Sequence, residues 1–519
     1  MVWKIAAKEF LLNLMTFKFA VGAVACAVLT VVFMPILAAD YRQRLKTYSS
    51  EMTRNETELR QTKAYRNLMP TVYRPPAMLS AFSGGIEKQL VGAARIELDT
   101  VPELSLTERQ GNPYLPVFSV FDESLIFKIV ISVLALLVAY DVISGEKEQG
   151  TLKLMLSGAT ARHQVLLGKL LAGIATLSVP VVITFVIALV ILLHSPTVAL
   201  GGAEWARIGL MFLASLMFTL VMYQLGFLFS CLAKRSAISM VLGLFAWIIF
   251  AVVVPNACVH LATQIQPLES QEQKEGLIAS IRNALASELE TVRVNWSVVE
   301  RYEKSGADDS FGGWHEKLID QGWLDAERKS NASEIPIKVR YADRLWDVEH
   351  RHLEACFRQR QIANRLSRIS PISTYENVMA VLAGTDLTSF QHFISGVRAH
   401  RNQVLDYVRL KTDNFSSASF LAGCTEEDAA EFTRLFRQEE QAQNEADKAK
   451  AKQARETWAQ NKRAQATASL NLQDFPWFRY HPSLVADLQK AVPDLLVLVV
   501  TNVVLFGMCF AAFVRYDVR

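Results

Sequence analysis

Residues 170–193 read LLAGIATLSVPVVITFVIALVILL and contain no Asp, Glu, Lys or Arg. An α-helix needs about 20 mostly apolar residues to cross the roughly 30 Å of hydrocarbon in a bilayer. Only helices and closed barrels satisfy all their backbone polar groups inside lipid, and a long continuous apolar run has the pattern of a helix. This stretch therefore predicts an integral membrane protein.

Further apolar stretches of similar length lie on both sides of it. They cover residues 17–38, 124–140, 208–232, 238–254 and 495–514. The sequence therefore predicts an all-α membrane protein with six transmembrane helices. Before the first span, Lys4 and Lys8 alternate with apolar side chains, a pattern typical of an amphipathic helix that lies in the membrane interface.

The apolar stretches also predict the domain organisation. The predicted parts are an interfacial helix at 1–16, the first span at 17–39, an extracytoplasmic segment at 40–123, spans two to five at 124–255 with a polar loop at 141–169, a mainly helical extracytoplasmic domain at 256–493, and the sixth span with the C-terminus at 494–519.

Two parts of the long insertion carry clear helical signals. Residues 387–411 have the pattern of a helix that Asp386 caps, and His392 and His400 on it are expected to be solvated. Residues 426–468 are highly charged and rich in alanine. They predict either one long solvated helix or a helical hairpin.

Basic residues near the span ends predict the orientation of the chain. Those that fall on one side, if six spans alternate, include Lys4, Lys8, Lys147, Lys234 and Arg235. Cytoplasmic loops are enriched in such residues, so we expect both termini in the cytoplasm. The formal net charge of +3 gives no basis for a nucleic-acid partner.

The cysteines offer one candidate disulfide and no metal motif. Cys356 and Cys424 lie in the insertion and could pair if it faces an oxidising space. No Cys-x-x-Cys pair is present. His352 and Cys356 share a helix face, but further ligands are missing from the pattern, so we expect no metal site and no cofactor in this chain.

The most informative polar stretch follows the second span and reads DVISGEKEQGT over residues 141–151. The spacing of Gly145 and Gly150 is that of a phosphate loop, but Thr151 and Leu152 stand where such a loop requires Lys and Ser or Thr. A membrane helix also precedes it in place of a β-strand. We therefore expect no ATP binding by this chain. Physical reasoning leaves two interpretations open: a helix that docks a partner, or an ordinary positively charged loop.

Residues 144–152 and the Leu-Leu-Gly-Lys sequence at 166–169 resemble the intracellular loop of ABC type-2 transporter permeases. In that family the loop opens a coupling helix that contacts a separate ATP-binding subunit, which would bind the ATP and Mg²⁺. The contact residues that the resemblance implies are Glu146, Glu148, Gly150, Thr151, Leu152 and Arg162. The interfacial helix and the six spans agree with the same architecture.

Other segments resemble a particular branch of that family. They are residues 370–372, 382–386, 391–393, 492–496, 502, 505–506 and 515–519. The branch consists of bacterial permeases with an uncharacterised domain before the last span, and its usual description is multi-copper enzyme maturation. The resemblance therefore implies a location in the bacterial inner membrane. The motifs of the branch do not reveal a substrate.

Polar residues inside the predicted spans are few. Gln224 and Asn502 are the best candidates for interhelical hydrogen bonds or for contacts along a transport pathway, and ordinary helix packing is the simpler interpretation. A mostly apolar interior favours a hydrophobic or amphipathic substrate over a small ion. Lys128, near the outer end of the second span, is expected to extend to the interface.

Two functions remain open from the sequence. The resemblance implies the transmembrane subunit of an ATP-driven transporter, paired with an identical or different permease subunit and with ATP-binding subunits. The alternative is a mechanotransmission complex that uses ATP to move its outer domain and act on a periplasmic protein, without moving a solute. Neither makes this chain an enzyme.

Overall fold

Helices make up most of the structure. The computed structural model describes residues 2–87, 90, 92–105, 122–152, 155, 161–195, 200–292, 321–420, 426–442, 444–466, 469–480 and 484–515. Six helices in this part of the chain are long and apolar enough to cross a membrane. The predicted all-α membrane fold with six spans is therefore confirmed.

Five of the spans precede the long insertion. The helices up to that point are α1 (Val2–Leu14), α2 (Phe17–Arg60), α3 (consecutive segments Glu123–Ile126, Phe127–Ile131 and Ser132–Ala139), α4 (Ser144–Glu148), α5 (Arg162–Leu193), α6 (Gly202–Leu232) and α7 (consecutive segments Ser236–Ile248, Ile249–Val253 and Val254–Ile265). The middle segments of α3 and α7 are π-helical turns. We call the end of the spans that carries α4 the loop end, and the opposite end the insertion end.

The short helix α1 packs along the start of α5 at the loop end. Ala6 is buried, and a Cβ atom on Gly168 would lie 2.8 Å from the Ile5 side chain. Thr16 then caps α2 by accepting a hydrogen bond from the Phe19 amide. Helix α1 is thus packed on the spans through the side that carries Ile5 and Ala6, whereas Trp3, Leu11 and Leu12 are exposed.

Small residues allow the spans to approach closely around α6. A Cβ atom on Gly173 of α5 would lie 2.0 Å from the ring of Tyr223, which is fully buried. A Cβ atom on Gly226 would lie 2.8 Å from Ala139 of α3. Close packing of this kind replaces the hydrophobic effect as the attraction between helices in lipid.

The first polar segment begins as a continuation of the first span. Helix α2 runs without a break to Arg60, well past the apolar stretch. It is followed by a small antiparallel sheet of β1 (Thr71–Tyr73), β2 (Ala93–Arg95) and β3 (Glu103–Ser105), with β2 in the centre.

The insertion before the last span is mainly helical, as predicted. Its helices are α8 (Gln271–Val292), α9 (Gln321–Ser367), α10 (Pro371–Ala383), α11 (Leu387–Lys411), α12 (Glu426–Gln441) and α13 (Glu445–Ala466), and the last span is α14 (Leu484–Val514). Helices α12 and α13 pack on each other, with an Arg455–Glu439 ion pair at 2.7 Å. The hairpin is therefore the correct one of the two interpretations of this charged stretch.

Helix α11 has the predicted bounds and the predicted cap. Asp386 accepts hydrogen bonds from the amides of Thr388 and Ser389. The expectation that His400 is solvated is wrong, because its side chain is buried and its ring centroid lies 5.4 Å from that of Phe478. The chain that leads back to the last span covers this face of α11, which the local pattern could not show.

Helix α10 belongs to the same hydrophobic core as the spans. Ile372, Val378 and Met379 are fully buried in that core. The ring of Tyr375 stacks on Phe218 of α6, with 4.5 Å between centroids. The insertion and the spans therefore share one core, because helix α10 of the insertion packs between the spans.

Polar contacts join α10 to both π-helical turns. Ser370, the N-cap of α10, donates to the carbonyl of Phe250 in the turn of α7 at 2.7 Å. Glu376 pairs with Lys128 in the turn of α3 at 2.7 Å. The Lys128 ammonium group thus pairs with a carboxylate of the insertion, and its place at the membrane interface stays a prediction.

Candidate functional site

The loop after the second span is anchored to the end of the fourth. The hydroxyl oxygen of Ser230 on α6 accepts hydrogen bonds from the amides of Ile143 and Ser144, both at 3.0 Å. These amides open the short helix α4 and have no partner within it. Ser144 is fully buried, and its hydroxyl donates to the Tyr140 carbonyl at 2.7 Å.

Lys147 also binds the loop to the end of α6. Its ammonium group donates to the carbonyl oxygens of Ser230, Cys231 and Ala233, where α6 ends. The last carbonyl groups of a helix lack partners and carry partial negative charge, so a lysine satisfies them well. The loop and the end of the fourth span therefore form one hydrogen-bonded unit.

A buried ion-pair triad lies under the loop. Lys169 of α5 has a side chain only 1% exposed, and its ammonium group is 3.0 Å from Glu9 of α1 and 2.7 Å from Glu146 of α4. A buried charge is tolerated only with such partners. Glu146, which the resemblance implies as a contact of the ATP-binding subunit, therefore has its carboxylate directed at an internal lysine.

Glu148 and the residues after it form the exposed part of the loop. The Glu148 carboxylate accepts hydrogen bonds from the amide of Ser236 at 3.1 Å and from its hydroxyl at 2.7 Å, at the first residue of α7. Gly150 has a φ of +72°, a backbone conformation that favours glycine. Gly150 and Thr151 are exposed, whereas Leu152 is fully buried.

Arg162 connects the loop end to the last span. It is the first residue of α5, and its guanidinium group donates to the carbonyl of Val514, the last residue of α14, at 2.6 Å. Residues 153–154 and 156–160, the middle of the predicted coupling segment, lie outside the described residues. Of the contact residues that the resemblance implies, Glu148, Gly150 and Thr151 are exposed, Glu146 and Arg162 are half-buried, and Leu152 is buried.

Gln224 and Asn502 both lie where α6 and α14 meet. The Asn502 amide donates to the Met217 carbonyl of α6 at 3.2 Å. The Cys509 thiol donates to the Gln224 carbonyl at 3.4 Å, while the Gln224 side-chain oxygen is buried without a hydrogen-bond partner in the described part of the chain. The Asn502 side chain thus forms an interhelical hydrogen bond, whereas Gln224 contributes its main-chain carbonyl; a transport role for either residue stays a prediction.

The proposed disulfide falls partly outside what the structure describes. Cys356 is half-buried on α9, and Cys424 lies outside the described residues. Within the described ranges, no group of three or more His, Cys, Asp or Glu side chains could hold a metal ion. The described residues therefore offer no candidate metal centre.

Sequence reasoning missed the central position of Lys169. In the sequence, Lys169 is the last residue of the Leu-Leu-Gly-Lys motif, and that motif does not predict a buried ion pair. A signal was present, because Lys169 directly precedes an uninterrupted apolar run. A lysine there must either extend to the interface or pair with a carboxylate. The sequence could not identify Glu9 and Glu146 as the partners.

The fold and the loop-end network define a multi-pass α-helical membrane protein that carries a large insertion before its last span. The model of the family "ABC-2 family transporter protein" matches residues 3–518. The chain belongs to this family, and the resemblance noted from the sequence is confirmed. Its members are membrane subunits, so this chain is an ABC transporter permease and not itself the catalytic subunit.

A curated relative gives a partial match. The "Probable ABC transporter permease protein NosY" of Stutzerimonas stutzeri is 36% identical over 121 residues, which are 23% of this chain and 44% of the relative. The match thus spans less than half of that relative's length. It supports the permease class and leaves substrate and partners to be proposed.

Proposed function

We propose that this chain couples ATP hydrolysis in a separate ATP-binding subunit to the export or extraction of a hydrophobic or amphipathic substrate. The observation that carries the proposal is the connectivity of the loop. The exposed residues Gly150 and Thr151 follow a helix whose side chains bind α5 through Lys169, α6 through Lys147 and α7 through Glu148. A force on the exposed segment would therefore reach several spans at once.

The charges at the loop end support a cytoplasmic location for it. Lys4, Lys8, Lys234 and Arg235 are exposed there. Such an excess of basic residues marks the cytoplasmic side of multi-pass proteins. We place both termini in the cytoplasm and the insertion on the outer face of a bacterial inner membrane.

The outer surface of the spans supports a paired arrangement. Only 11% of the most apolar stretch of α7 is buried inside the protein, and only 17% of the corresponding stretch of the last span. These two spans therefore have most of their apolar surface available for lipid or for a second permease subunit, identical or different. We propose that two permease subunits pair and that two ATP-binding subunits dock at their loops.

Purification of the tagged full chain from its own membranes tests the docking step. We expect an ATP-binding protein to co-purify and to hydrolyse ATP. Thr151→Arg places a long charged side chain on the exposed loop and should remove that protein and the activity. Thr457→Arg, at an exposed position of α13, is the matched control and should retain both. Absence of any ATP-binding protein, or its full retention by Thr151→Arg, would contradict the proposal.

A second function is favoured by the position of α10. Because Tyr375, Ser370 and Glu376 bind this helix to α6, α7 and α3, a rearrangement of the spans would also move the insertion. The complex could then use ATP to act on an extracytoplasmic protein without moving a solute.

Proteoliposomes that contain the whole complex separate the two functions. ATP-dependent loss of a fluorescent amphipathic dye from the membrane would support transport. ATP-dependent change in the hydrogen exchange of α10, with no flux of any probe, would support mechanotransmission. A complex that hydrolyses ATP and shows neither response would contradict both.

A further inference from the structure

A cavity of about 700 Å³ lies at the insertion end of the spans. Its walls come from α7, α9, α10 and α14 and from the segments around residues 83–86 and 122–125. The volume lies within the range of about 300 to 1,000 Å³ that is usual for small-molecule sites. The cavity is therefore large enough for a ligand, and it is distant from the loop-end site.

Two of the carboxylates that line the cavity are helix caps. Asp122 accepts hydrogen bonds from the amides of Gly84 and Leu125, at 2.7 and 2.9 Å. Asp386 accepts from the amides at the start of α11. The partial positive charge of a helix N-terminus stabilises each of them. Neither carboxylate is available for a cationic ligand.

The other two carboxylates are ion-paired. Glu376 is 2.7 Å from the ammonium group of Lys128. Asp494 is 2.5 Å from the guanidinium group of Arg368. All four negative charges at the cavity are thus used within the protein.

Four cationic side chains also line the cavity, and one of them, Arg368, is the partner of Asp494. Arg360 and Arg365 of α9 line the cavity, are exposed, and form no ion pair within the described part of the chain. Lys490 of α14 also lines the cavity, and its ammonium group is 3.8 Å from Asp487, whose carboxylate already binds Arg207 at 2.6 Å. Two cations share one carboxylate there, and the Lys490 nitrogen makes no hydrogen bond to a described residue. Arg360 and Arg365 are thus cavity-lining cations that have no carboxylate partner in the described part of the chain.

Apolar residues complete one side of the cavity. Val259 of α7 lines it and is 44% exposed, within the Ser236–Ile265 helix that is long and apolar enough to span a membrane. Pro255 and Leu125 lie nearby in the same wall. The apolar tail of a bound ligand could leave the cavity along this side toward the lipid, while its charged head group stays beside Arg360 and Arg365.

We propose that this cavity binds an amphipathic anion, a molecule with a phosphate or carboxylate head group and an apolar tail. Arg360 and Arg365 bind the head group, since guanidinium groups match the geometry of both anions. The tail lies against the apolar wall formed by α7. The site needs no ATP-binding subunit, so it stands or fails independently of the function proposed above.

Native mass spectrometry of the purified full chain, released from an uncharged detergent, tests the site. The probes are decyl phosphate, inorganic phosphate and decanol. We expect one bound decyl phosphate, and at least about tenfold weaker binding by the double variant Arg360→Ala and Arg365→Ala, because each charged hydrogen bond contributes substantially. The double lysine variant at these positions should keep an intermediate affinity, since it preserves the charge and loses the planar fork.

Arg358→Ala is the matched control. Arg358 is on the same helix, is exposed, pairs with Glu354 at 3.3 Å, and is not among the described residues that line the cavity. It should bind decyl phosphate like the unmodified chain. Equal binding of decanol, equal binding of inorganic phosphate, or unchanged binding by the double alanine variant would each overturn the proposal.

Discussion

The ammonium group of Lys169 lies 2.7 Å from the carboxylate of Glu146, although the two residues belong to different helices and the lysine is almost completely buried. Glu9 completes the set at 3.0 Å. The triad joins the interfacial helix, the loop helix and the third span. Removal of one member of a buried ionic group leaves an uncompensated charge, which makes such groups strongly cooperative.

Lys169→Met should therefore destabilise the loop end severely. The substitution leaves Glu9 and Glu146 without their cation, at an expected cost of about 3 to 5 kcal/mol. Thermal unfolding of the purified chain in detergent measures this loss of stability.

Two further variants distinguish this effect from general damage. Lys8→Met removes an exposed lysine at the same end and should leave the unfolding temperature almost unchanged. Lys169→Met combined with Glu9→Gln and Glu146→Gln should recover part of the stability, because uncharged groups remain. A single Lys169→Met variant as stable as Lys8→Met would contradict the role of the triad.

The Glu148 carboxylate should act as a cap for the fifth span. Glu148→Ala removes the acceptor for the amide and hydroxyl of Ser236, with an expected cost of about 1 kcal/mol. Hydrogen exchange at the first turn of α7 should become faster. Gln149→Ala, at the neighbouring exposed position, is the control.

A double-mutant cycle makes the same prediction quantitative. If Glu148 and Ser236 act through each other, the variant Glu148→Ala with Ser236→Ala should cost less than the sum of the single substitutions. A coupling of about 0.5 kcal/mol or more is expected for groups in direct contact. Strict additivity would show that the contact contributes nothing.

Gly173 should tolerate no larger residue. The Cβ atom of Gly173→Ala would lie 2.0 Å from the buried ring of Tyr223, so α5 and α6 must separate or the ring must move. We expect this overpacking to lower the stability of the fold by about 1 to 3 kcal/mol. Gly209→Ala, in a helix position with open space around it, should be neutral or slightly stabilising. Equal unfolding temperatures for the two variants would contradict this packing.

The insertion should lose stability in mild acid because of His400. Burial lowers the pKa of this imidazole to about 4 in the folded protein, although a side-chain hydrogen bond with Gln403 acts in the opposite direction. The unfolded chain, with a pKa near 6.5, binds the proton more readily, so folding becomes less favourable as pH falls. The loss begins near pH 6.5, is complete near pH 4, and amounts to roughly 3 kcal/mol.

Hydrogen exchange of α11, corrected for the intrinsic pH dependence of exchange, measures this effect. Protection should fall between pH 6.5 and 4 in the unmodified chain and change less in His400→Gln. His392→Gln, at an exposed position of the same helix, should keep the full dependence. Identical pH profiles for His400→Gln and the unmodified chain would exclude His400 as the cause.

The sequence by itself determined the spans, the membrane class and several local details. A run of apolar residues decides insertion into a bilayer by its own transfer free energy, so residues 170–193 needed no knowledge of the rest of the chain. The same holds for the Asp386 cap and the bounds of α11, which depend on neighbouring residues. The family could also be recognised, because the loop motif at 144–152 is contiguous.

Only the tertiary structure decided how the charged groups are paired and which helices enter the core. Lys169 and Glu9 are separated by 160 residues, and Lys128 and Glu376 by 248, so no local pattern links them. Helix α10 has an ordinary amphipathic sequence. It enters the core of the spans because Tyr375 stacks on Phe218 and shares a hydrogen bond with Ser215 there. Contacts between distant segments depend on the packing of the whole molecule, and burial then makes each charge depend on its partner.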